Sequence, residues 1–259
     1  MKKKLYAGVL LLLLIFSVGQ RGQSVSNRAD AIINQLKSKY GIEFTYKNPP
    51  APTWNVVTYT RLSERDQDAL IKYLELFAEE FNKYPEGFLQ RVDLREVVFV
   101  KDLHLYQYRA AVPDYYKEYL FYDIYIGSND AVYQRHCIHH EFYHMIEEEI
   151  NGDVYYKDPR WPSAGYSYIG EGQQAYSSGT DVYSLIHPEP GFINLYSTYA
   201  LEEDKAEIYA SLFIPSEASL LYQWDENDNL LNRKIDYIKR FLKTLDSGFT
   251  DDYWEEIVE

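Results

Sequence analysis

Two histidines four residues apart, with a glutamate beside the first, are the residues of this chain that predict chemistry most directly. Residues 140–144 read His-Glu-Phe-Tyr-His and lie in a stretch without Gly or Pro, residues 130–149, that has the pattern of a helix. Residues four apart share one helix face, so His140 and His144 can reach one Zn²⁺ while Glu141 holds the water that the metal activates. The motif therefore predicts metal-assisted hydrolysis, most often of a peptide bond.

The segment just before this helix has the pattern of a β-strand. Its side chains alternate in two sets, Leu120, Tyr122, Ile124 and Ile126 against Tyr119, Phe121, Asp123 and Tyr125. Residues 127–130, Gly-Ser-Asn-Asp, supply a turn and a helix N-cap. A strand that leads into the motif helix can lie beside a bound substrate. We therefore expect an extended peptide to pair, backbone to backbone, with the free edge of this strand or of its neighbour.

A catalytic zinc site needs a third protein ligand and keeps a fourth position open. The metzincin pattern HExxHxxGxxH is excluded, because Glu147 and Ile150 occupy its Gly and final His positions. Three acidic or imidazole side chains in a Gly- and Pro-containing region are alternatives: Asp181, His187 and Glu189.

Residues 201–213 predict a helix that carries the stronger candidates for this third ligand. Glu203 and Glu207 share one face of it, and the small residues Ala206 and Ala210 beside them would let it approach the motif helix closely. The spacing alone leaves the choice between the two carboxylates open.

The motif and a second segment together resemble a known group of gluzincin peptidases. The group includes anthrax lethal factor, the pro-pro endopeptidases and candidate zinc-binding metallopeptidases of bacterial envelopes. Residues 191–207, Gly-Phe-Ile-Asn-Leu-Tyr-Ser-Thr-Tyr-Ala-Leu-Glu-Glu-Asp-Lys-Ala-Glu, are similar to the group's "GF…Y, seven residues, EDxAE" segment, although Lys205 stands where an aromatic residue is common. The resemblance covers two segments of the catalytic half.

This resemblance implies a zincin-like α+β fold with a mixed sheet, an active-site HExxH helix and a mainly helical C-terminal lobe. It also implies a role for each of six residues: His140, His144 and Glu203 as zinc ligands, Glu141 as general base, Tyr196 as a transition-state donor, and Glu207 as the carboxylate that holds a ligand histidine. Simple chemistry agrees with these roles, since a ligand imidazole needs an acceptor on its other nitrogen and an oxyanion needs a donor.

Three neighbours of the motif are expected to have other roles. His136 lies one turn before His140 and is expected to be structural or to face the cleft. His139 points elsewhere on the helix, and Cys137 is expected to be a small buried apolar group.

The N-terminus predicts export. Residues 1–4, Met-Lys-Lys-Lys, precede an apolar run over residues 5–16, which is typical of a signal peptide and too short for a membrane span. We therefore expect residues 1–22 to be removed and the mature protein, residues 23–259, to be secreted or periplasmic without a stable membrane span. The 259 residues, 46% of them hydrophobic, suit one metallopeptidase domain with a sheet-and-helix lobe over about 23–149 and a second lobe over about 150–259.

The charge balance limits the partners. The net charge is −14, and removal of residues 1–22 leaves 22 basic against 40 acidic residues, or −18. Such an acidic surface repels nucleic acid and anionic lipid, which argues against both as partners. The expected partner is the peptide or protein substrate of the predicted peptidase. The oligomeric state stays open. The single Cys excludes an internal disulfide.

The rest of the chain predicts the elements that position the site. Helices are predicted over residues 26–40, 63–84 and 227–245, and strands over 42–47, 95–100 and in 103–112. Residues 152–187 are rich in Tyr, Gly, Ser and Pro and predict long loops that wall a cleft. Their aromatic side chains also suit the main alternative function, an exported peptide- or glycan-binding protein with a non-catalytic zinc site. A zinc hydrolase that acts on a non-peptide amide is an alternative within the same class.

Overall fold

The structure is a computed structural model that describes residues 25–163, 165–170 and 181–258. The predicted signal peptide, residues 1–22, lies outside the described residues, as does part of the predicted loop region, residues 171–180. In the part of the chain that is described, no helix combines the length and the apolarity needed to cross a bilayer.

The sheet is mixed, as predicted. Its strands in the described residues are β1 (Glu43–Thr45), β2 (Val57–Thr60), β3 (Glu96–Leu105), β4 (Gln107–Tyr108), β5 (Ala111–Asp114) and β6 (Tyr119–Asp123). The main order is β1-β3-β6-β5, and β2 and β4 pair with the last part of β3. β1 and β6 run parallel to β3, while β5 runs antiparallel to β6 and forms one edge.

The strand before the motif helix differs from its prediction in two ways. β6 lies between β3 and β5, so it has no free edge, and the edge that a peptide could use belongs to its neighbour β5. β6 also ends at Asp123, and its residues from Leu120 onwards are buried on both faces. Phe121 packs with Val98 and Val112 on one face, while Leu120 belongs to the main core on the other. The alternating side chains of this segment therefore point to two buried faces of the sheet, rather than to one buried face and one solvent-exposed face.

The helices follow the predicted pattern with three additions. They are α1 (Val25–Tyr40), α2 (Gln67–Phe81), α3 (Phe88–Arg91), α4 (Ala131–Asn151), α5 (Leu201–Leu212), α6 (Pro215–Asp225), α7 (Asn229–Leu245) and α8 (Asp251–Val258). A 3₁₀ turn, Glu64–Asp66, precedes α2. The short helix α3, the separate helices α6 and α8, and the short strand β2 were not predicted. The described chain after β6 contains helices and loops, which agrees with the predicted helical C-terminal half.

The motif helix α4 is fixed by its ends and by its apolar face. Asp130 caps its start by accepting from the backbone N–H of Tyr133 at 3.1 Å, and Gly152 ends it with a φ of 70°. The ring centroid of Phe142 lies 5.5 Å from that of Phe81 and 5.0 Å from that of Tyr84. This packing holds α4 against α2 and the turn after it, and it leaves the His140 and His144 face towards α5.

A buried polar network strengthens the same contact. Glu80 of α2 is fully buried and pairs with Arg135 and with Lys83, and its Oε2 lies 2.7 Å from Nε2 of His139. Burial raises the pKa of Glu80, but the contacts with His139 and Lys83 outweigh it and lower the pKa to about 2. His139 therefore serves the packing of α4 on α2, away from the motif face.

Candidate metal centre and cleft

Three predicted ligands converge on one point. Nε2 of His140 lies 3.2 Å from Nε2 of His144 and 3.1 Å from Oε2 of Glu203, and Nε2 of His144 lies 3.4 Å from the same carboxylate oxygen. Tetrahedral Zn²⁺ with bonds of about 2.0–2.1 Å has its ligand atoms about 3.3–3.4 Å apart. The two imidazoles and the carboxylate therefore fit a zinc ion that is held by three protein ligands.

Small residues and a buried ion pair bring the two ligand helices together. Ala206 and Ala210 of α5 are fully buried, as the predicted close approach requires. Beside them, Nζ of Lys205 lies 2.5 Å from Oε1 of Glu147, and Lys205 is also fully buried. Lys205, which departs from the group's usual aromatic residue, thus joins α5 to α4 one turn from His144.

Glu207 lies behind His140 rather than inside the donor triangle. Its Oε1 is 2.8 Å from Nδ1 of His140, and its Oε2 accepts from the side-chain amide of Asn194 at 2.5 Å. A carboxylate at Nδ1 favours the tautomer whose Nε2 lone pair faces the triangle. The geometry therefore separates the two carboxylates that the spacing could not rank.

The electrostatics of the cluster suit a cation. Burial lowers the pKa of His140, but the carboxylates of Glu203 and Glu207 outweigh it and raise this pKa to about 10. Burial raises the pKa of both glutamates, yet the neighbouring imidazoles hold each well below its usual range. Both carboxylates are therefore ionised, and they concentrate negative charge around the two histidines.

His136 extends the polar chain away from the triangle. Its Nε2 lies 3.2 Å from Oε1 of Glu207, and its Nδ1 lies 2.8 Å from Oε2 of Glu217, which also accepts from the hydroxyl of Ser211 at 2.9 Å. His136, His140 and Glu207 form a second possible donor group among the described residues. In that group His140 would offer Nδ1, which already faces Glu207. His136 therefore contacts Glu207 and Glu217 outside the donor triangle.

Two adjoining cavities, of about 480 and 460 Å³, form one cleft along the metal centre. The cavity that also contains Cys137 and Glu217 is called the first cavity, and the one that contains Trp54 and Tyr115 is called the second. The two cavities share five residues: Arg109, Ala111, His140, Glu141 and Tyr196. The edge strand β5 therefore runs along a cleft whose middle is the HExxH face.

The predicted base and the predicted oxyanion donor both lie at this junction. Burial raises the pKa of Glu141, against the neighbouring His140 and His144, which lower it. Tyr196 starts the 3₁₀ turn Tyr196–Thr198, and its ring centroid lies 5.9 Å from that of His140. Tyr199 lines neither cavity.

The alternative ligands lie apart from the donor triangle. Asp181 lines the first cavity and accepts from the hydroxyl of Ser184 at 2.5 Å. Nε2 of His187 is 2.9 Å from Asp228, and Glu189 accepts from the hydroxyl of Tyr166 at 2.6 Å. In the described ranges these three side chains join neither possible donor group.

Sequence reasoning missed Arg109 and Tyr115, which lie in the cleft near Glu141. Arg109 lines both cavities and lowers the pKa of Glu141 through its charge. Tyr115 lines the second cavity, and burial, followed by the charge of Glu141, raises the pKa of its phenol well above the usual value. Both flank β5, and no motif marks them. Arg109 falls within the strand region predicted over residues 103–112, and Tyr115 follows that region.

Comparison with known proteins supports the fold. No family model matches the chain, and no curated protein matches it in sequence. A crystal structure of a candidate zinc-binding metallo-peptidase from Bacteroides caccae is similar to it, with a TM-score of 0.54 and 14% identity over 90% of each chain. The chain therefore has a metallopeptidase-like fold. The finer resemblance to lethal factor and the pro-pro endopeptidases stays a prediction.

Proposed function

We propose that this protein is an exported zinc-dependent metallopeptidase. The observation that carries the proposal is the donor triangle of His140, His144 and Glu203, whose edges measure 3.1–3.4 Å, with Glu141 beside it at the middle of a cleft. A structural zinc site would need neither an adjoining base nor an open cleft. Export rests on the signal-peptide pattern of residues 1–22.

Each residue has a role that follows from its place. Zn²⁺ held by His140, His144 and Glu203 would supply Lewis acidity and lower the pKa of a water to about 7. Glu141 takes a proton from the attacking water and delivers it to the leaving amine. The hydroxyl of Tyr196 donates to the oxyanion that develops on the carbonyl, and Glu207 keeps His140 in the required tautomer.

The backbone of β5 offers a template for an extended peptide. Ala110 accepts from the backbone N–H of Asp123 of β6 at 2.8 Å. Inward and outward backbone groups alternate along an antiparallel strand, so those of Ala111 and Pro113 face the free edge. Pro113 is tolerated there because the N–H that it lacks would point away from β6. The N–H of Ala111 and the carbonyls of Ala111 and Pro113 can therefore pair with substrate.

A peptide library with and without a chelator tests this function. We expect the zinc-loaded mature protein to cut a subset of peptides, the chelator to stop cutting, and added zinc to restore it. Peptides that bind without being cut would favour the alternative binding protein, which the exposed aromatic side chains of the cleft would also suit. Cutting that the chelator leaves unchanged would contradict the proposed role of the metal.

A further inference from the structure

The second cavity carries a group of exposed aromatic and aliphatic side chains at one end of the cleft. Among the described residues with exposed large apolar side chains, three lie on its rim: Val56, Tyr106 and Tyr155, with exposures of 47%, 74% and 65%. The half-buried rings of Trp54 and Tyr115 line it as well. Apolar surface grouped around one cavity indicates contact with a ligand, because scattered exposed residues need no such explanation.

The aromatic wall of this cavity is held in place beside the edge strand. The backbone N–H of Thr53 donates to Oδ2 of Asp114, the last residue of β5, at 2.7 Å. The backbone N–H of Val57 donates to the carbonyl of Trp54 at 3.0 Å, and the ring of Trp54 meets that of Tyr115 edge to face at 6.2 Å. Because these contacts already hold the wall in place, little conformational entropy is lost when a ligand binds to it.

The direction of β5 says which part of a peptide would reach this wall. Ala111 lines both cavities, while Val112 and Pro113 line only the second, so β5 runs from the middle of the cleft into the second cavity. Antiparallel pairing is the more stable arrangement per residue. An antiparallel peptide therefore runs from the second cavity to the first, and its residues before the cleaved bond occupy the second cavity.

We infer that the second cavity is a subsite for an aromatic or large aliphatic side chain on the N-terminal side of the cleaved peptide bond. The occupant is the substrate itself, because the cavity is continuous with the metal centre through His140 and Glu141 and with the backbone edge of β5. The inference rests on the proposed peptidase function. It adds a substrate class: peptides with a large apolar residue before the cut.

The test combines binding and cleavage for matched peptides. One series varies a single position among Phe, Leu, Ala and Asp on the N-terminal side of a cut bond, and a second series varies the C-terminal side. For Phe and Leu before the cut, Trp54→Ala should lower kcat/KM by about tenfold to a hundredfold, which corresponds to losing contact with a buried apolar side chain. Peptides with Ala at that position should change by less than about threefold, and Trp54→Phe should restore most of the preference.

Tyr116→Ala is the matched control. Tyr116 is 76% exposed and its ring lies 6.0 Å from that of Trp54, but it does not line the cavity. It should keep the preference of the wild type, and circular dichroism of every variant checks the fold. Tyr155→Ala removes another exposed ring that lines the second cavity and should also weaken the preference for Phe.

Calorimetric binding of the same peptides to Glu141→Gln separates the subsite from the proposed function. We expect Glu141→Gln to bind only peptides with Phe or Leu at the varied position, and to lose this binding when Trp54→Ala is added. This outcome supports the subsite even if the wild-type protein cuts no peptide. In that case only the peptidase function is rejected. Cleavage without any preference before the cut would reject the subsite and leave the peptidase intact. A preference confined to the C-terminal side would overturn the antiparallel direction.

Discussion

Glu203→Ala should lose zinc much more completely than Glu207→Ala. The structure gives the reason, since Oε2 of Glu203 lies 3.1 and 3.4 Å from the two Nε2 atoms, whereas Oε1 of Glu207 lies 2.8 Å from Nδ1 of His140. The first carboxylate completes the ligand set. The second orients a ligand that would remain in place without it.

The magnitudes follow from these two positions. A structural zinc site contributes about 10–16 kcal/mol through four ligands, so one ligand carries roughly 2.5–4 kcal/mol, or about seventyfold to a thousandfold in affinity. Removal of a carboxylate that orients a ligand histidine typically costs about tenfold to a hundredfold. We therefore expect Glu207→Ala to retain zinc at concentrations at which Glu203→Ala has lost it.

Competition with a chromophoric chelator at fixed pH measures both constants, and metal analysis after dialysis checks the stoichiometry. Glu202→Ala is the matched control, because Glu202 lines the second cavity beside Glu203 but lies outside the donor triangle. It should bind zinc as the wild type does. Weaker binding by Glu207→Ala than by Glu203→Ala would refute the ligand assignment, and full retention by both would refute a role for either carboxylate.

Three further predictions concern the cleft and the packing of α4. Tyr196→Phe should lower kcat by about a hundredfold with little change in KM or zinc content, because the hydroxyl acts on the oxyanion; a comparable loss in Tyr199→Phe would show that the wrong phenol was chosen. N-methylation of substrate amides near the cut should weaken binding more than trimming of distant side chains, and indifference to methylation would count against pairing with β5. Glu80→Gln should destabilise the fold by about 3 kcal/mol at neutral pH, as measured by urea unfolding, because it leaves Arg135 and Lys83 without their buried anion. Because the pKa of Glu80 is lowered to about 2, its contribution to stability is complete above the unfolded pKa of about 4.5 and is lost as the pH falls towards 2. The free energy of unfolding of Glu80→Gln should therefore fall less than that of the wild type over this pH range. An equal fall in both proteins would refute this source of stability.

Local signals predicted the elements that carry the motif. The cap at Asp130, the helical spacing of the motif and the glycine at 152 all act within a few residues, and α4 follows them. The small residues Ala206 and Ala210 likewise predicted the close approach of α5. The spacing of Glu203 and Glu207 placed both on one face, but only the packed structure shows which nitrogen each one meets.

The pairing of strands and the contacts between distant segments determine the features that the sequence could not predict. The alternation over residues 119–126 is the same for an edge strand as for a central strand with two covered faces, so the free edge was expected at β6 as well as at its neighbour. The segment around Trp54 belongs to none of the predicted helices and strands, yet the contact of Thr53 with Asp114 makes it a wall of the cleft. Arg109 joins the site only because β5 lies beside α4.

Hydrolysis by Glu141→Gln tests the central claim most directly. The amide keeps the size of the carboxylate but cannot accept the proton of a water, so zinc content and fold should match the wild type while cleavage of the best library peptide falls by at least about a hundredfold. Paired metal analysis and a single-turnover assay on the zinc-loaded variant give both quantities from one sample. Full zinc occupancy with cleavage near the wild-type rate would contradict the assignment of Glu141 as the base, and with it the mechanism proposed for this cleft.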